Sequence, residues 1–271
     1  MLLDGCSRAD VETVCRYIGD EMGLPLSALK LIVVTHMHPD HAGGARLLQQ
    51  RSGALLACHP KAPGWYRGIA GRAAHAIDVA LTWWVAGKLG KPKRHIWYKP
   101  SFEPDIWLND EQRLPLFADW QVLYTPGHTD HDLSLLHLPT RQLYVADLIV
   151  SVKKQLTSPY PVCHPNQYKR SLWRVSHLNP SRVYCAHVKP LLDKDIDYPA
   201  LIAQAPKRPH PVRKPDPLRK PDSERSLREP TLRTSSHRPV EDAHRQGDCR
   251  ETGRDRRATD FCAHREEGVR C

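Results

Sequence analysis

The chain has 271 residues and a formal net charge of +10, from 40 Lys and Arg against 30 Asp and Glu. This length is ample for a packed core. The charges of both signs are mixed along the chain, which favours an ordinary solvated surface over a specific nucleic-acid partner.

Composition changes near Ala205. Residues 206–271 carry 17 Lys and Arg against 12 Asp and Glu, are rich in Pro and Ser, and have only scattered apolar positions. Such a segment cannot bury enough apolar surface to offset its ordering entropy. We therefore expect one α/β domain over residues 1–205 and a disordered basic, Pro-rich tail over 206–271.

The cysteines and the apolar runs indicate the cellular compartment of the protein. The eight cysteines include no CxxC spacing, which favours reduced thiols in the cytoplasm over a disulfide framework. The first residues have no secretory signal pattern. The most apolar stretch, 69–90, is interrupted by Arg72, His75 and Asp78, so we expect no membrane span.

The first half of the chain alternates strand and helix patterns. The start, "MLLDG", is typical of a strand that ends in a turn, and 7–23 has helical spacing with Gly23 as its stop. The β-branched run at 29–35 predicts a buried strand. It is followed by "THMHPDHAGG", a helix over 41–52 and a strand over 54–59.

The second half is richer in strand patterns. Residues 60–101 interrupt the alternation with helical material bounded by Pro and Gly, which we interpret as a helical insertion or lid. Strands are then predicted at 105–108, 112–117, 121–127, 133–139 and 142–150, followed by a helix over 165–178 and a last strand over 182–188. The order of elements indicates a layered α/β fold.

Histidines and aspartates recur where these strands end. The residues are His36, His38, Asp40 and His41, then His128 in "TPGHTD", Asp147 in "VADLIV" and His187 in "YCAHVKP". In a strand-like HxH, the two side chains point to one side. Imidazoles and carboxylates suit zinc or another divalent ion of similar character. Seven candidates exceed one tetrahedral site, so two ions sharing a bridging carboxylate are the simplest interpretation.

The ordered set HxHxDH, GHT, strand-end Asp and strand-end His resembles the metallo-β-lactamase superfamily, in particular its glyoxalase II-like branch. The resemblance covers residues 2–190 and implies an αββα sandwich. By motif, it implies that His36, His38 and His128 hold a first metal ion. It further implies that Asp40, His41 and His187 hold a second, with Asp147 bridging.

The chain departs from the family pattern at three places. Ala146 and Ala186 stand where the family has glycines, and we expect a single methyl group to be tolerated there. The family's strand ending in Asp-x-Gly corresponds to "LLDG", and further strands normally precede it. The resemblance thus implies an N-terminally truncated member with an incomplete first sheet.

The resemblance implies a zinc-dependent hydrolase with two Zn²⁺ per subunit, Fe or Mn being alternatives. A hydroxide between the ions would attack a thioester or ester, and Asp40 would orient it or accept its proton. A lactonase is the first alternative, although the Tyr of that branch is replaced by Val150. A nuclease or nucleic-acid-processing member is the second.

Residues around these motifs leave alternatives open. His131 and Asp132, just after the GHT motif, either support the ligands or are structural. In the insertion, Ala73, Ile77, Ala80, Leu81, Trp84 and Lys88 form a stripe at helical spacing. The stripe either covers the groove, which would favour a small-molecule acyl substrate with an apolar group, or packs on the sheet or on a second subunit. The sequence does not indicate the oligomeric state.

Overall fold

The computed structural model of the chain describes residues 1–88, 90–101 and 103–209. The predicted disordered tail therefore lies outside the described residues, apart from its first four positions. Within the described part, Cys6, Cys15, Cys58, Cys163 and Cys185 form no disulfide. Among the helices of these residues, none is long and apolar enough to cross a membrane.

Four parallel strands form the first sheet, in the order β1-β2-β3-β4. They are β1 (Leu2–Leu3), β2 (Leu31–Val34), β3 (Leu55–Cys58) and β4 (Ile106–Trp107). All four side chains of β2 are buried, as expected for a parallel strand covered on both faces. The predicted strands at 29–35 and 54–59 are confirmed, and β1 lies at the edge of this sheet.

Six strands form the second sheet, in the order β12-β11-β8-β7-β6-β5. The pair β8 and β11 is parallel, and the other neighbours are antiparallel. The strands are β5 (Arg113–Leu114), β6 (Phe117–Tyr124), β7 (Leu133–His137), β8 (Gln142–Ala146), β11 (Arg182–Cys185) and β12 (Val188–Leu191). A separate antiparallel pair comprises β9 (Val150–Val152) and β10 (Gln155–Thr157).

Helices cover the outer faces of both sheets. They are α1 (Val11–Arg16), α2 (Pro39–Ala42), α3 (Ala45–Ser52), α4 (Gly68–Lys88), α5 (Pro165–Ser176) and α6 (Tyr198–Gln204). One apolar cluster joins the first sheet to α1 and α3, a second joins the second sheet to α5 and α6, and a third fills the space between the sheets. The layers are thus helix, sheet, sheet and helix, which confirms the predicted αββα sandwich.

Three sequence predictions need correction. The predicted strand 112–117 is interrupted by a turn at residues 115–116, between β5 and β6, and the predicted strand 142–150 ends at Ala146 before a turn. The strand at 182–188 is not the last element, because β12 and α6 follow it. An apolar run does not reveal such turns, because the turn residues Leu116, Leu148 and Ile149 are as apolar as the strands beside them.

Candidate metal centre

The HxHxDH motif lies where β2 meets α2. His36 and His38 follow β2 in extended backbone, and His38 precedes Pro39, the first residue of α2. Proline suits this position because the first turn of a helix leaves its N–H groups unpaired. Asp40 and His41 therefore belong to the first turn of a helix that starts at the edge of the sheet, and the chain turns sharply between the two pairs of ligands.

A first triplet of side chains forms at this edge. Candidate ligand atoms of His36, His38 and His128 all lie within 4.8 Å of one another. His38 Nδ1 and His128 Nε2 are 2.9 Å apart. His128 comes from the loop after β6, so the loop of the second sheet completes a triplet begun by the first.

A second triplet lies beside it. Asp40, His41 and His187 also present ligand atoms within 4.8 Å of one another. His187 Nε2 is 3.1 Å from Asp40 Oδ2. His187 comes from the turn between β11 and β12, so this triplet too joins both sheets.

Asp147 stands between the two triplets. Its Oδ1 atom is 3.4 Å from His41 Nε2 and 3.4 Å from His187 Nε2, whereas its Oδ2 atom is 3.8 Å from His128 Nε2. One carboxylate oxygen thus faces each triplet, as a bridging ligand requires. The structure brings together all seven residues that the sequence singled out.

The donor atoms fit metal ions. His36 Nε2, His41 Nε2 and Asp147 Oδ1 are buried and have no hydrogen-bond partner among the described residues. A buried polar atom without a partner is costly, and a bound cation would remove that cost. The set contains imidazole nitrogens and carboxylate oxygens, the ligands that zinc and related divalent ions accept.

Neighbouring groups hold three imidazoles in a fixed orientation. His128 Nδ1 donates to the Pro161 carbonyl oxygen at 2.6 Å, and His41 Nδ1 donates to Asp4 Oδ2 at 2.9 Å. His36 Nδ1 lies 3.1 Å from Thr35 Oγ1. Each contact uses Nδ1 and leaves Nε2 directed into the site, the arrangement in which a second layer of partners orients metal ligands.

Asp4 connects several of these parts. It is buried and accepts hydrogen bonds from the Thr35 backbone and hydroxyl and from Tyr144, besides His41. Gly5 lets the turn that carries Asp4 lie close against α3, because a Cβ at this position would be 2.4 Å from the Cβ of Ala45. The sequence placed Asp4 in the "LLDG" turn but indicated no role for it. Its three partner residues, Thr35, His41 and Tyr144, are distant in sequence, so no local pattern indicates them.

The question left open for His131 and Asp132 is answered by their contacts. His131 Nε2 accepts a hydrogen bond from the backbone N–H of Met37, between His36 and His38, and its Nδ1 donates to Asp130. Asp132 accepts from the backbone N–H groups of Gly127 and Thr129, on both sides of His128. Both residues therefore support the loops that carry the first triplet.

The two triplets differ in their electrostatic environment. Burial, together with the neighbouring histidines, lowers the pKa of His36 and of His38 well below the usual range. Burial also opposes ionisation of Asp40 and Asp147, but His41 and the other imidazoles outweigh it and lower both pKa values. The pKa of His41 is raised because Asp147, Asp40 and Asp4 outweigh its burial. Their surroundings thus favour the neutral forms of His36 and His38, whereas His41 faces the ionised carboxylates of Asp40 and Asp147.

Ala146, just before Asp147, is in the left-handed region with φ 47°. The sequence-based expectation that a methyl group is tolerated here did not include this backbone strain. A left-handed conformation destabilises a residue that has a Cβ by on the order of 1 kcal/mol. We expect Ala146→Gly to raise the melting temperature by about 2–4 °C. Ala186→Gly is the matched control: Ala186 is not among the positive-φ residues, so added chain entropy should make that variant slightly less stable. Equal shifts would contradict the argument.

A cleft of about 580 Å³ opens beside the second triplet. Asp40, His41 and His187 line one side, and Leu3, Trp120 and Tyr184 line another. Of the described residues that line it, none is Lys or Arg. The cleft thus places an apolar wall next to the second triplet.

Comparisons with known proteins agree with this fold. The family model described as "Metallo-beta-lactamase superfamily" matches residues 11–187. No curated protein matches the chain. A metallo-beta-lactamase family protein from Thermus thermophilus is 24% identical with a TM-score of 0.55, over 74% of this chain and 69% of that chain.

Two further solved structures are similar. The BLEG-1 B3 metallo-beta-lactamase is 18% identical with a TM-score of 0.50, over 71% of this chain and 82% of that chain. A metallo-beta-lactamase superfamily protein from Sulfolobus tokodaii is 22% identical with a TM-score of 0.49, over 65% of this chain and 67% of that chain. At these identities, the two structures with TM-scores of 0.50 and 0.55 establish a likeness of fold.

Proposed function

Because the family model spans most of the described residues, the chain belongs to the metallo-β-lactamase superfamily, and we propose that it is a metal-dependent hydrolase that cleaves a thioester or ester. The observation that carries this proposal is the position of Asp147 between two ligand triplets. We assign His36, His38 and His128 to one ion, Asp40, His41 and His187 to another, and Asp147 to both.

Zinc is the proposed metal, with iron or manganese as alternatives, because the seven ligands are all histidine and aspartate. When bound, such ions polarise a carbonyl and lower the pKa of water towards neutrality. Asp40 is held ionised by His41 and His187. Its carboxylate can therefore accept a hydrogen bond from the attacking water and orient it.

The cleft supports an acyl substrate with an apolar group. Leu3, Trp120 and Tyr184 offer apolar surface next to the site, which would hold such a group while its carbonyl reaches the metal ligands. A polyanionic substrate is disfavoured, because the described lining residues include no Lys or Arg. These features favour acyl hydrolysis over the nuclease alternative, and Val150 in place of Tyr disfavours the lactonase.

The test is a substrate panel with metal-loaded protein. We expect kcat/KM for a thioester with an aromatic or long acyl group to exceed that for a lactone, a phosphodiester or a β-lactam by at least about tenfold, or about 1.4 kcal/mol. Trp120→Ala should raise KM by roughly tenfold, through lost apolar contact, with a smaller effect on kcat.

Trp173→Ala is the control for this variant, since Trp173 is exposed on α5 and does not line the cleft. Turnover of the phosphodiester with no acyl substrate cleaved would move the assignment to the nuclease branch.

A further inference from the structure

Helix α4 turns an apolar face to solvent. Ile69, Ile77 and Trp84 are 89%, 44% and 61% exposed. Helical spacing places Ala73, Ala76 and Ala80, which are also exposed, on the same side. The buried residues of the helix are Gly71, Ala74, His75 and Val79. The stripe predicted from the sequence thus neither packs on the sheet nor lines the cleft described above.

The residues around this face are cationic. From Arg67 to Lys99 the chain carries seven Lys and Arg but a single carboxylate, Asp78. Arg72 and Lys88 are exposed on α4 and border the apolar face, and Lys91 and Lys93 are exposed just after the helix. The ammonium of Lys88 lies 5.6 Å from the centre of the Trp84 ring. The carboxylate is largely buried and accepts a hydrogen bond from Tyr66 at 2.7 Å.

We propose that α4 binds the surface of a membrane that contains anionic lipids, lying in the plane of the interface. A helix with exposed apolar residues, a tryptophan and bordering cations has the composition that such binding requires: apolar side chains enter the acyl boundary and Lys and Arg meet the headgroups. An exposed apolar surface of this kind usually marks an interaction site.

Charge decides between a lipid surface and a second copy of the chain. Packing two α4 helices face to face would bring together two sets of exposed cations, Arg72, Lys88, Lys91 and Lys93, and the single carboxylate of this segment in each copy faces inward. Like charges at such an interface are unfavourable. An anionic headgroup layer neutralises the same cations.

Membrane binding through α4 would bring the metal centre close to the lipid surface. Asp78, on the inner side of the helix, lies 3.8 Å from His38 Nε2. The inference does not depend on the reaction proposed above, since it concerns the outer side of the same helix.

The experiment is flotation of the full chain with vesicles of phosphatidylcholine, alone or mixed with phosphatidylglycerol. We expect binding to the mixed vesicles, weakened by salt, and little binding to phosphatidylcholine alone. Trp84→Ala should weaken binding on the order of tenfold. Arg72→Glu and Lys88→Glu should each weaken it by roughly fivefold or more.

Matched controls lie on α5. Trp173→Ala removes an indole that is 59% exposed, and Arg170→Glu reverses an exposed charge; both should bind as the parent does. Every variant retains residues 206–271, so a difference between them cannot come from that segment. The melting transition of Trp84→Ala should match that of the parent, because the ring is largely exposed.

Three results would overturn the proposal. The first is no binding to the mixed vesicles, and the second is binding that Trp84→Ala leaves unchanged. The third is a dimer in sedimentation that Trp84→Ala dissociates, without vesicle binding, which would assign the face to a second copy.

Discussion

Replacing His36 or His128 by alanine should remove one of two metal ions, whereas replacing Asp147 should weaken the binding of both. The reason is the geometry: His36 and His128 belong to one triplet, while the two oxygens of Asp147 face different triplets. Loss of a partner that merely orients a ligand typically costs 10–100-fold in affinity or activity. Loss of a ligand itself should lower activity further, so we expect kcat/KM for hydrolysis to fall roughly a thousandfold in all three variants.

Metal analysis after loading and dialysis checks this expectation. The parent should retain about two ions per chain, in line with two tetrahedral-type ligand sets, and His36→Ala about one. His177→Ala is the control, since this histidine contacts Trp173 and Ser176 on the surface. Parent protein that is folded but takes up no metal would remove the basis of the proposed function.

Asp4→Ala should lower the free energy of unfolding by about 3 kcal/mol or more, the usual cost of removing one partner from a buried charged network. Thr35, His41 and Tyr144 would all lose an acceptor at once. For a domain of this size, the melting temperature should fall by about 6–12 °C.

The Asp4→Ala experiment also has an internal comparison. Asp10→Ala removes another aspartate near the N-terminus, one that is half exposed and paired with Arg94, and surface pairs of this kind contribute at most about 1 kcal/mol. Metal retention should fall in Asp4→Ala and not in Asp10→Ala, because only Asp4 holds His41. Equal melting temperatures in the two variants would contradict a central role for Asp4.

Several features were predictable because their physical causes are local. The run 31–34 is β-branched and continuous, which defines a buried parallel strand. Helix α5 begins at Pro165 and has a strong apolar periodicity, so its prediction over 165–178 was close to the observed Pro165–Ser176. The sequence placed the seven candidate ligands at strand ends, and strand ends at one edge of a sandwich meet in space.

Other features depend on contacts between distant parts of the chain. The four bonds of Asp4 and the support of Met37 by His131 link segments that no periodicity connects. The strain at Ala146 depends on a backbone angle imposed by the turn after β8. None of these is visible in composition or spacing.

Helix α4 shows most clearly what the sequence determined and what only the tertiary structure determined. The sequence by itself determined that residues 60–101 contain helical material with an apolar stripe from Ala73 to Lys88, because helix propensity and spacing are local properties. It also determined the family, through the order of four motifs. Only the tertiary structure decided which side of α4 is buried: Gly71 and Ala74 are small enough to pack closely on the domain, which leaves Ile77 and Trp84 exposed to solvent.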